Sequence, residues 1–323
     1  MLVPVLLFLL GFVLLIKGGN WFVDGSVGIA HRFHLPELLI GATVVSIGTT
    51  LPEVMVSSQA ALEGNAGISY GNAIGSIICN TSLIAAITVA VKPGKVEPRT
   101  LVFPTAFFFI AALSYSVIAW TKGGFERWMG LVYLAVFVVY LVWSTLRMKK
   151  NPELAEEQDE SDASDEPKPL WRELLSLVVG AAAIAIGARF LVDNGTLIAA
   201  ALGVPDSVIG LTMVALGTSL PELITAITSL IKGHGALSLG NVIGANLFNI
   251  ILVSGAAISI SPFSIPAEKT LAGVNSSFVL DLPLMLLVMA LLCIPPLRSG
   301  KLRRWQGVLL LCIYAAFTVY QFV

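Results

Sequence analysis

The sequence has 323 residues, a formal net charge of −1, and only 12% charged residues against 56% hydrophobic ones. Its mean hydropathy of +0.89 excludes a soluble globular protein, whose surface needs far more charge. Apolar runs of about 20 residues predict membrane-spanning helices. In chain order, the predicted spans are 2–29, 36–62, 67–91, 100–120, 126–146, 171–200, 205–231, 236–261, 276–296 and 303–322. We therefore predict an all-α membrane protein with ten transmembrane helices.

The basic residues are divided unevenly between the predicted loops. If the N-terminus lies outside, fourteen of the 19 Lys and Arg residues fall in inner loops and three in outer loops. Cytoplasmic loops carry such an excess. The sequence therefore predicts that both termini face outward and that the connection between spans five and six is cytoplasmic.

That connection, residues 151–169, differs in composition from the rest of the chain. It holds eight acidic residues between Glu153 and Glu166, a composition that cannot bury a core and predicts a disordered tether. It lacks the glycine and the ligand spacing of an EF-hand. The chain is thus divided into a first five-helix repeat at 1–150, an acidic linker at 151–169, and a second repeat at 170–323.

The two halves are related in sequence. They align without a gap at an offset of 169 residues, with 16 identities in 44 positions between 41–84 and 210–253. GATVVSIGTTLPE and ISYGNAIGSIICN recur as GLTMVALGTSLPE and LSLGNVIGANLFN. Because each half has an odd number of spans, the second copy must insert upside down. Inverted repeats with interrupted helices are typical of secondary transporters.

Glu53 and Glu222 occupy the same position in the two halves, in the middle of predicted spans. A carboxylate at that depth is costly unless something pairs with it, and no Lys or Arg lies nearby in sequence. We therefore predict a cation from solution as the partner. The alternative is a protonated, hydrogen-bonded glutamic acid in the core.

Prolines precede both glutamates. Pro52 and Pro221 lack an N–H, so we expect each helix to kink or unwind there and to free backbone carbonyls. Further paired or nearby polar residues provide hydroxyl and amide oxygens: Thr49, Thr50, Ser76, Asn72, Asn80, Thr218, Ser219, Asn241 and Asn249.

This set of hard oxygen ligands suits calcium or sodium and argues against zinc, copper or iron. Two carboxylates balance one calcium ion or two sodium ions. The predicted partners are therefore these transported ions and the lipid bilayer, with no cofactor and no nucleic acid.

The doubled GTTLPE/GTSLPE and GNAIGSIICN/GNVIGANLFN segments resemble the alpha repeats of the calcium/cation antiporter superfamily. Within it, the chain is most similar to the prokaryotic sodium/calcium exchangers, over all ten predicted spans. This resemblance implies a prokaryotic plasma-membrane antiporter that exchanges calcium for sodium by alternating access. It also implies that helices 1 and 6 slide over a more rigid core.

The resemblance also implies roles for individual residues. The implied calcium site uses Glu53, Glu222 and the carbonyls of Thr49 and Thr218, flanked by Asn80 and Asn249. The implied sodium sites use the carbonyls of Ser46 and Ala215 and the hydroxyls of Thr50, Ser219 and Ser76.

The sequence departs from the family pattern at one sodium site. The second half has Ala245 where the first half has Ser76, so one hydroxyl is missing. Asn249 stands where potassium-dependent relatives carry Asp, which argues against potassium cotransport.

Three other functions are alternatives to calcium/sodium exchange. A calcium/proton antiporter would use the same glutamates to carry protons, and a cation channel would show flux that is uncoupled from any counter-ion. An intramembrane hydrolase would need a nucleophile or a histidine-bound metal, and His31, His34 and His234 all lie in predicted loops.

Overall fold

The computed structural model describes residues 2–150, 169–203, 217–267, 270–271 and 273–322. These residues form helices α1 (Leu2–Arg32), α2 (Glu37–Leu62), α3 (Ala66–Val91), α4 (Pro98–Lys122), α5 (Arg127–Lys150), α6 (Leu170–Ala201), α7 (Leu220–Ile231), α8 (Gly235–Ile260), α9 (Ser277–Ser299) and α10 (Arg304–Phe322). Four short strands accompany them: β1 (Gly124–Phe125), β2 (Phe263–Ser264), β3 (Thr270–Leu271) and β4 (Val274–Asn275).

Eight of these helices are long and apolar enough to cross a membrane, so the chain is an integral membrane protein. The two exceptions are α7 and α10. The predicted seventh span, 205–231, lies partly outside the described residues, which include a 12-residue α7. The acidic segment 151–168 and its predicted role as a tether also lie outside them.

Several helices contain a wider, π-helical turn. Such turns occur at Gly41–Val45 in α2, Asn80–Ala85 in α3, Asn249–Ser254 in α8 and Ser277–Asp281 in α9. The segments in α3 and α8 begin at equivalent positions of the two halves, 169 residues apart. Because π-helical turns frequently occur at functional sites, the two asparagines that open these segments are candidates for a functional role.

Helices α1 and α6 pack against each other along glycine-lined faces. A Cβ on Gly11 would lie 2.9 Å from the Gly187 carbonyl oxygen, and one on Gly18 would lie 2.8 Å from Ala183 Cβ. Residue numbers rise along α1 as they fall along α6, so the two helices are antiparallel. Only glycine permits such close backbone approach.

Contacts between loops sort the helix ends into two groups. At one end, Val96 N–H donates to the Gly300 carbonyl and Leu302 N–H to the Gly94 carbonyl, both at 2.9 Å. At the other end, β1 pairs with β2. The loops before α4 and after α9 therefore share one end of the bundle, and the loops after α4 and before α9 share the other.

The buried apolar residues form two clusters. The larger one draws on α2 to α5 and α7 to α10. The smaller one lies mainly between α1, α6 and the first turns of α2. The α1–α6 pair thus packs on the rest of the bundle through an apolar contact of its own.

Candidate ion-binding site

Two glutamates lie fully buried inside the helical bundle. Glu53 on α2 and Glu222 on α7 are both 0% exposed, and their carboxylate oxygens have no hydrogen-bond partner in the described part of the chain. The two helices that carry them contact each other. Burying unpaired charge in a low-dielectric interior is costly, so a cation or protons must balance this pair.

Basic side chains do not provide that balance. Within the described ranges, every ion pair uses another acid, namely Asp24, Glu37, Glu126, Glu173 or Asp193. The same residues contain no group of three or more His, Cys, Asp or Glu that could hold a metal ion. A cation at Glu53 and Glu222 would therefore take its remaining ligands from neutral oxygen atoms.

Neutral oxygens are present on the same helices and their neighbours. The Thr50 and Ser219 hydroxyls, the Asn80 side-chain amide and Asn249 Oδ1 are all buried, and none has a hydrogen-bond partner among the described residues. Asn249 Nδ2 donates to the Ala245 carbonyl at 3.0 Å, which holds that side chain along α8. Uncompensated polar atoms are rare in protein interiors, so their concentration here marks a polar site inside the bundle.

Ser46 and Thr49 use their hydroxyls to join α2 to α8. Ser46 Oγ donates to the Asn241 carbonyl at 3.0 Å, and Thr49 Oγ1 donates to Asn241 Oδ1 at 3.1 Å. Both hydroxyl hydrogens are thus used in the contact between α2 and α8.

The close approach of α2 and α8 depends on small residues. A Cβ on Gly244 would lie 2.6 Å from Ala42 Cα, and one on Gly240 would overlap the Leu38 carbonyl oxygen. Gly240 and Gly244 thus form a small-xxx-small pair that lets the backbones of α2 and α8 approach closely.

The other predicted site residues are distributed as follows. Ser76 is buried on α3, and Thr218 is half-buried in the turn before α7. Ala215 lies outside the described residues. On the N-terminal side of Glu222, the described residues begin at Gly217.

Helix unwinding at the prolines follows the prediction in only one half. Helix α2 continues through Pro52, from Ser46 to Leu62, without interruption; the expectation of an unwound segment there is wrong. Proline removes a single backbone hydrogen bond, and the contacts with α8 keep the rest of the helix in place. In the second half, Thr218 and Ser219 form a turn, and α7 begins at Leu220 with Pro221 in its first turn.

Two residues near the glutamates differ from the sequence prediction: Asn72, predicted to supply an amide oxygen, donates through its amide nitrogen instead, and Thr225 was not predicted. Asn72 Nδ2 donates to the Glu53 carbonyl at 3.1 Å and to Ser57 Oγ at 2.8 Å, which fixes the backbone at the acid. Thr225, one turn after Glu222, has a buried hydroxyl without a partner among the described residues. Asn72 and Asn241 are 169 residues apart, so the repeat itself was a sequence signal for Asn72. Nothing in the sequence pattern marked Thr225.

Known proteins resemble the chain over its whole length. The putative antiporter CaxA of Alkalimonas amylolytica is 36% identical over 329 residues, covering 100% of this chain and 99% of that protein. The sodium/calcium exchanger MaX1 of Methanosarcina acetivorans is 32% identical and covers 98% of both chains. The solved structure of the sodium-calcium exchanger NCX_Mj matches with a TM-score of 0.80 at 33% identity, covering 98% of this chain and 97% of that one.

The family match, these relatives and the solved structure place the chain in the class of cation antiporters. The description "Sodium/calcium exchanger protein" names the family that matches residues 3–146 and 173–323. The chain belongs to this family, and the resemblance seen in the repeated motifs is confirmed.

Proposed function

We propose that this protein exchanges calcium for sodium by alternating access at Glu53 and Glu222. The observation that carries the proposal is the pair of fully buried carboxylates without partners in the described residues. Two negative charges balance one calcium ion or two sodium ions, so the two cations would compete for the same oxygens. The names of two similar proteins, both sodium/calcium exchangers, support this choice of ions.

In this proposal the calcium ligands are Glu53, Glu222 and the carbonyls of Thr49 and Thr218, with Asn80 and Asn249 beside them. Sodium would bind at the carbonyls of Ser46 and Ala215 and at the hydroxyls of Thr50, Ser219 and Ser76. Oxygen ligands of this kind match the preference of both ions. The unpartnered side-chain oxygens of Thr50, Ser219, Asn80 and Asn249 support the assignment.

The architecture that we propose has ten spans in two inverted repeats, 1–150 and 170–323, joined by the linker. The antiparallel contact between α1 and α6 supports inversion, because these two helices occupy equivalent positions in the halves. The excess of basic residues in alternate loops supports outward termini and a cytoplasmic linker in a prokaryotic plasma membrane.

Calcium flux into proteoliposomes tests the exchange reaction. An outward sodium gradient at fixed pH and voltage should drive calcium uptake, with no need for potassium. Uptake driven by a proton gradient, with no effect of sodium, would instead assign the protein to the calcium/proton antiporters. That second candidate is supported by the same buried carboxylates, since each can carry a proton. Calcium flux uncoupled from either gradient would indicate a channel and overturn both.

The proposed orientation can be tested independently. An epitope fused to either terminus should be labelled on intact cells, and one inserted within 153–166 should be labelled only after permeabilisation. The reverse labelling pattern would contradict the assignment.

A further inference from the structure

An ion pair joins α1 to the end of α7. Lys232, the residue that follows α7, places its Nζ 2.5 Å from Asp24 Oδ1 and donates a second hydrogen bond to the Asn20 carbonyl at 3.3 Å. Asn20 and Asp24 lie about one turn apart on α1. Lys232 therefore holds α1 at two points, and its side chain is only 25% exposed.

This contact lies between the candidate site and one end of the bundle. Lys232 follows Glu222 by ten residues, which is about 15 Å along a helix axis. Between them α1 closes on α7, since a Cβ on Gly19 would lie 2.9 Å from Thr228 Oγ1. The next residues, 233–236, line a cavity of about 450 Å³ that also borders the loops before α4 and after α9. We call this the Lys232 end of the bundle.

Two other ion pairs of α1 and α6 lie within that helix pair. Arg32 Nε lies 3.0 Å from Glu173 Oε2, which joins α1 to α6. Arg189 Nε lies 3.4 Å from Asp193 Oδ2, four residues along α6. The Lys232 ion pair instead connects α1 to the rest of the bundle. Movement of α1 relative to α7 would therefore separate its two charges.

The equivalent positions of the repeat cannot form this ion pair. The 169-residue offset relates Asp24 to Asp193 and Lys232 to Glu63, so both equivalents are acidic. Glu63 Oε1 instead accepts a hydrogen bond from Gln59 Nε2 of its own helix at 2.6 Å. The helices are thus duplicated, whereas the opposite charges that join α1 to α7 are not.

We propose that Asp24 and Lys232 form a latch that holds α1 against α7 and favours the state in which the Lys232 end is closed. This inference rests on the proposed alternating access, in which each end of the bundle closes in turn. Inverted repeats close their two ends through equivalent contacts. Because one contact carries opposite charges and its equivalent two acids, the two closed states differ in energy.

Calcium dependence measured separately at each face tests the latch. Right-side-out and inside-out membrane vesicles present external calcium to opposite faces, and epitope labelling identifies the face that carries Lys232. Lys232→Glu replaces attraction with repulsion, so more of the protein should be open at that face. The half-saturating calcium concentration should therefore fall about three- to tenfold there, and it should not fall at the other face. A change in the ion site itself would move both values in the same direction.

Exchanging the two charges separates the ion pair from other effects of the substitution. Lys232→Glu/Asp24→Lys restores opposite charges and should return the half-saturating calcium concentration to within about twofold of the wild type. Arg189→Glu, which breaks an exposed ion pair within α6, is the matched control and should leave both faces unchanged. If Lys232→Glu does not give a monodisperse protein, Asp24→Lys decides by the same criteria.

Three results would overturn the latch: no fall at the Lys232 face, a shift in the same direction at both faces, or no recovery in the exchanged variant. Absence of sodium-driven calcium uptake in the wild type would overturn the proposed exchange itself. Normal wild-type exchange with unaffected variants removes only the latch.

Discussion

Buried carboxylates occur in two different settings in this protein. Glu173 is buried on α6, but Arg32 Nε lies 3.0 Å from its Oε2, so its charge is balanced by the protein itself. Glu53 and Glu222 have no such partner in the described part of the chain. A paired acid holds helices together, whereas an unpaired acid in a dry interior is available to a mobile ion.

Substituting either unpaired acid should stop transport without unfolding the protein. Glu53→Gln and Glu222→Gln should each lower calcium flux by about a hundredfold or more, because removing one charge leaves a divalent ion uncompensated in a buried site. Flux in proteoliposomes and size-exclusion profiles are the measurements. Glu63→Gln, at an exposed acid after α2, is the control and should transport normally. Near-normal calcium flux in either buried variant would remove that residue from the site.

At Ala245 the second half lacks the hydroxyl that Ser76 provides in the first half. Ala245→Ser should lower the half-saturating sodium concentration about threefold, as one added oxygen ligand is worth roughly one hydrogen bond. Ala257→Ser, at another buried alanine of α8, should have no such effect. An unchanged sodium dependence in Ala245→Ser would show that this position is not part of a sodium site.

At the scale of helices, α1 contacts both α6 and α7. The α1–α6 contact is backbone to backbone, while α1 meets α7 through Gly19 and Thr228. The family resemblance implies that α1 and α6 slide together over the remaining helices. A covalent link across the boundary of this moving pair should therefore restrict transport.

A disulfide between α1 and α7 should block transport. A Cβ on Gly19 would lie 3.7 Å from Thr228 Cβ, the separation typical of disulfides. Oxidation of Gly19→Cys/Thr228→Cys should abolish calcium flux, and a reductant should restore it. The control is the same double variant kept reduced, together with the wild type treated with the oxidant. Both controls should stay active. Full activity of the oxidised α1–α7 variant would contradict sliding at this boundary.

At the scale of the whole molecule, the acidic linker at 151–169 joins the two halves. Its composition cannot bury a hydrophobic core. Deleting residues 153–166 should leave basal calcium transport within about twofold of the wild type, since such a segment acts as a tether. Replacement by an equally long Gly/Ser segment is the control for length. If the deletion variant folds but does not transport, while the Gly/Ser variant does, linker length limits the cycle. Loss of transport in both would assign the acidic residues a direct role.

The candidate site could be proposed from sequence because charge at membrane depth is rare. Glu53 and Glu222 stand out in otherwise apolar spans, and the repeat pairs them with each other and with Asn80 and Asn249. The unwinding expected at Pro52 was wrong, since packing against α8 keeps α2 helical. Local sequence rules describe one helix, and they do not include the neighbour that stabilises it.

By itself, the sequence determined that the protein lies in a membrane, that its two halves are duplicated, and that two acids lie in apolar spans. Hydropathy, identity between the halves and isolated charges can each be read from the chain without its fold. Only the tertiary structure decided which polar groups meet. Asn241 accepts hydrogen bonds from the Ser46 and Thr49 hydroxyls of α2, and Asn72 of α3 donates to the Glu53 carbonyl. These contacts join residues far apart in the chain, and no spacing rule encodes them. They arise because close packing of helices inside the bundle leaves each buried polar group a choice of only a few neighbours.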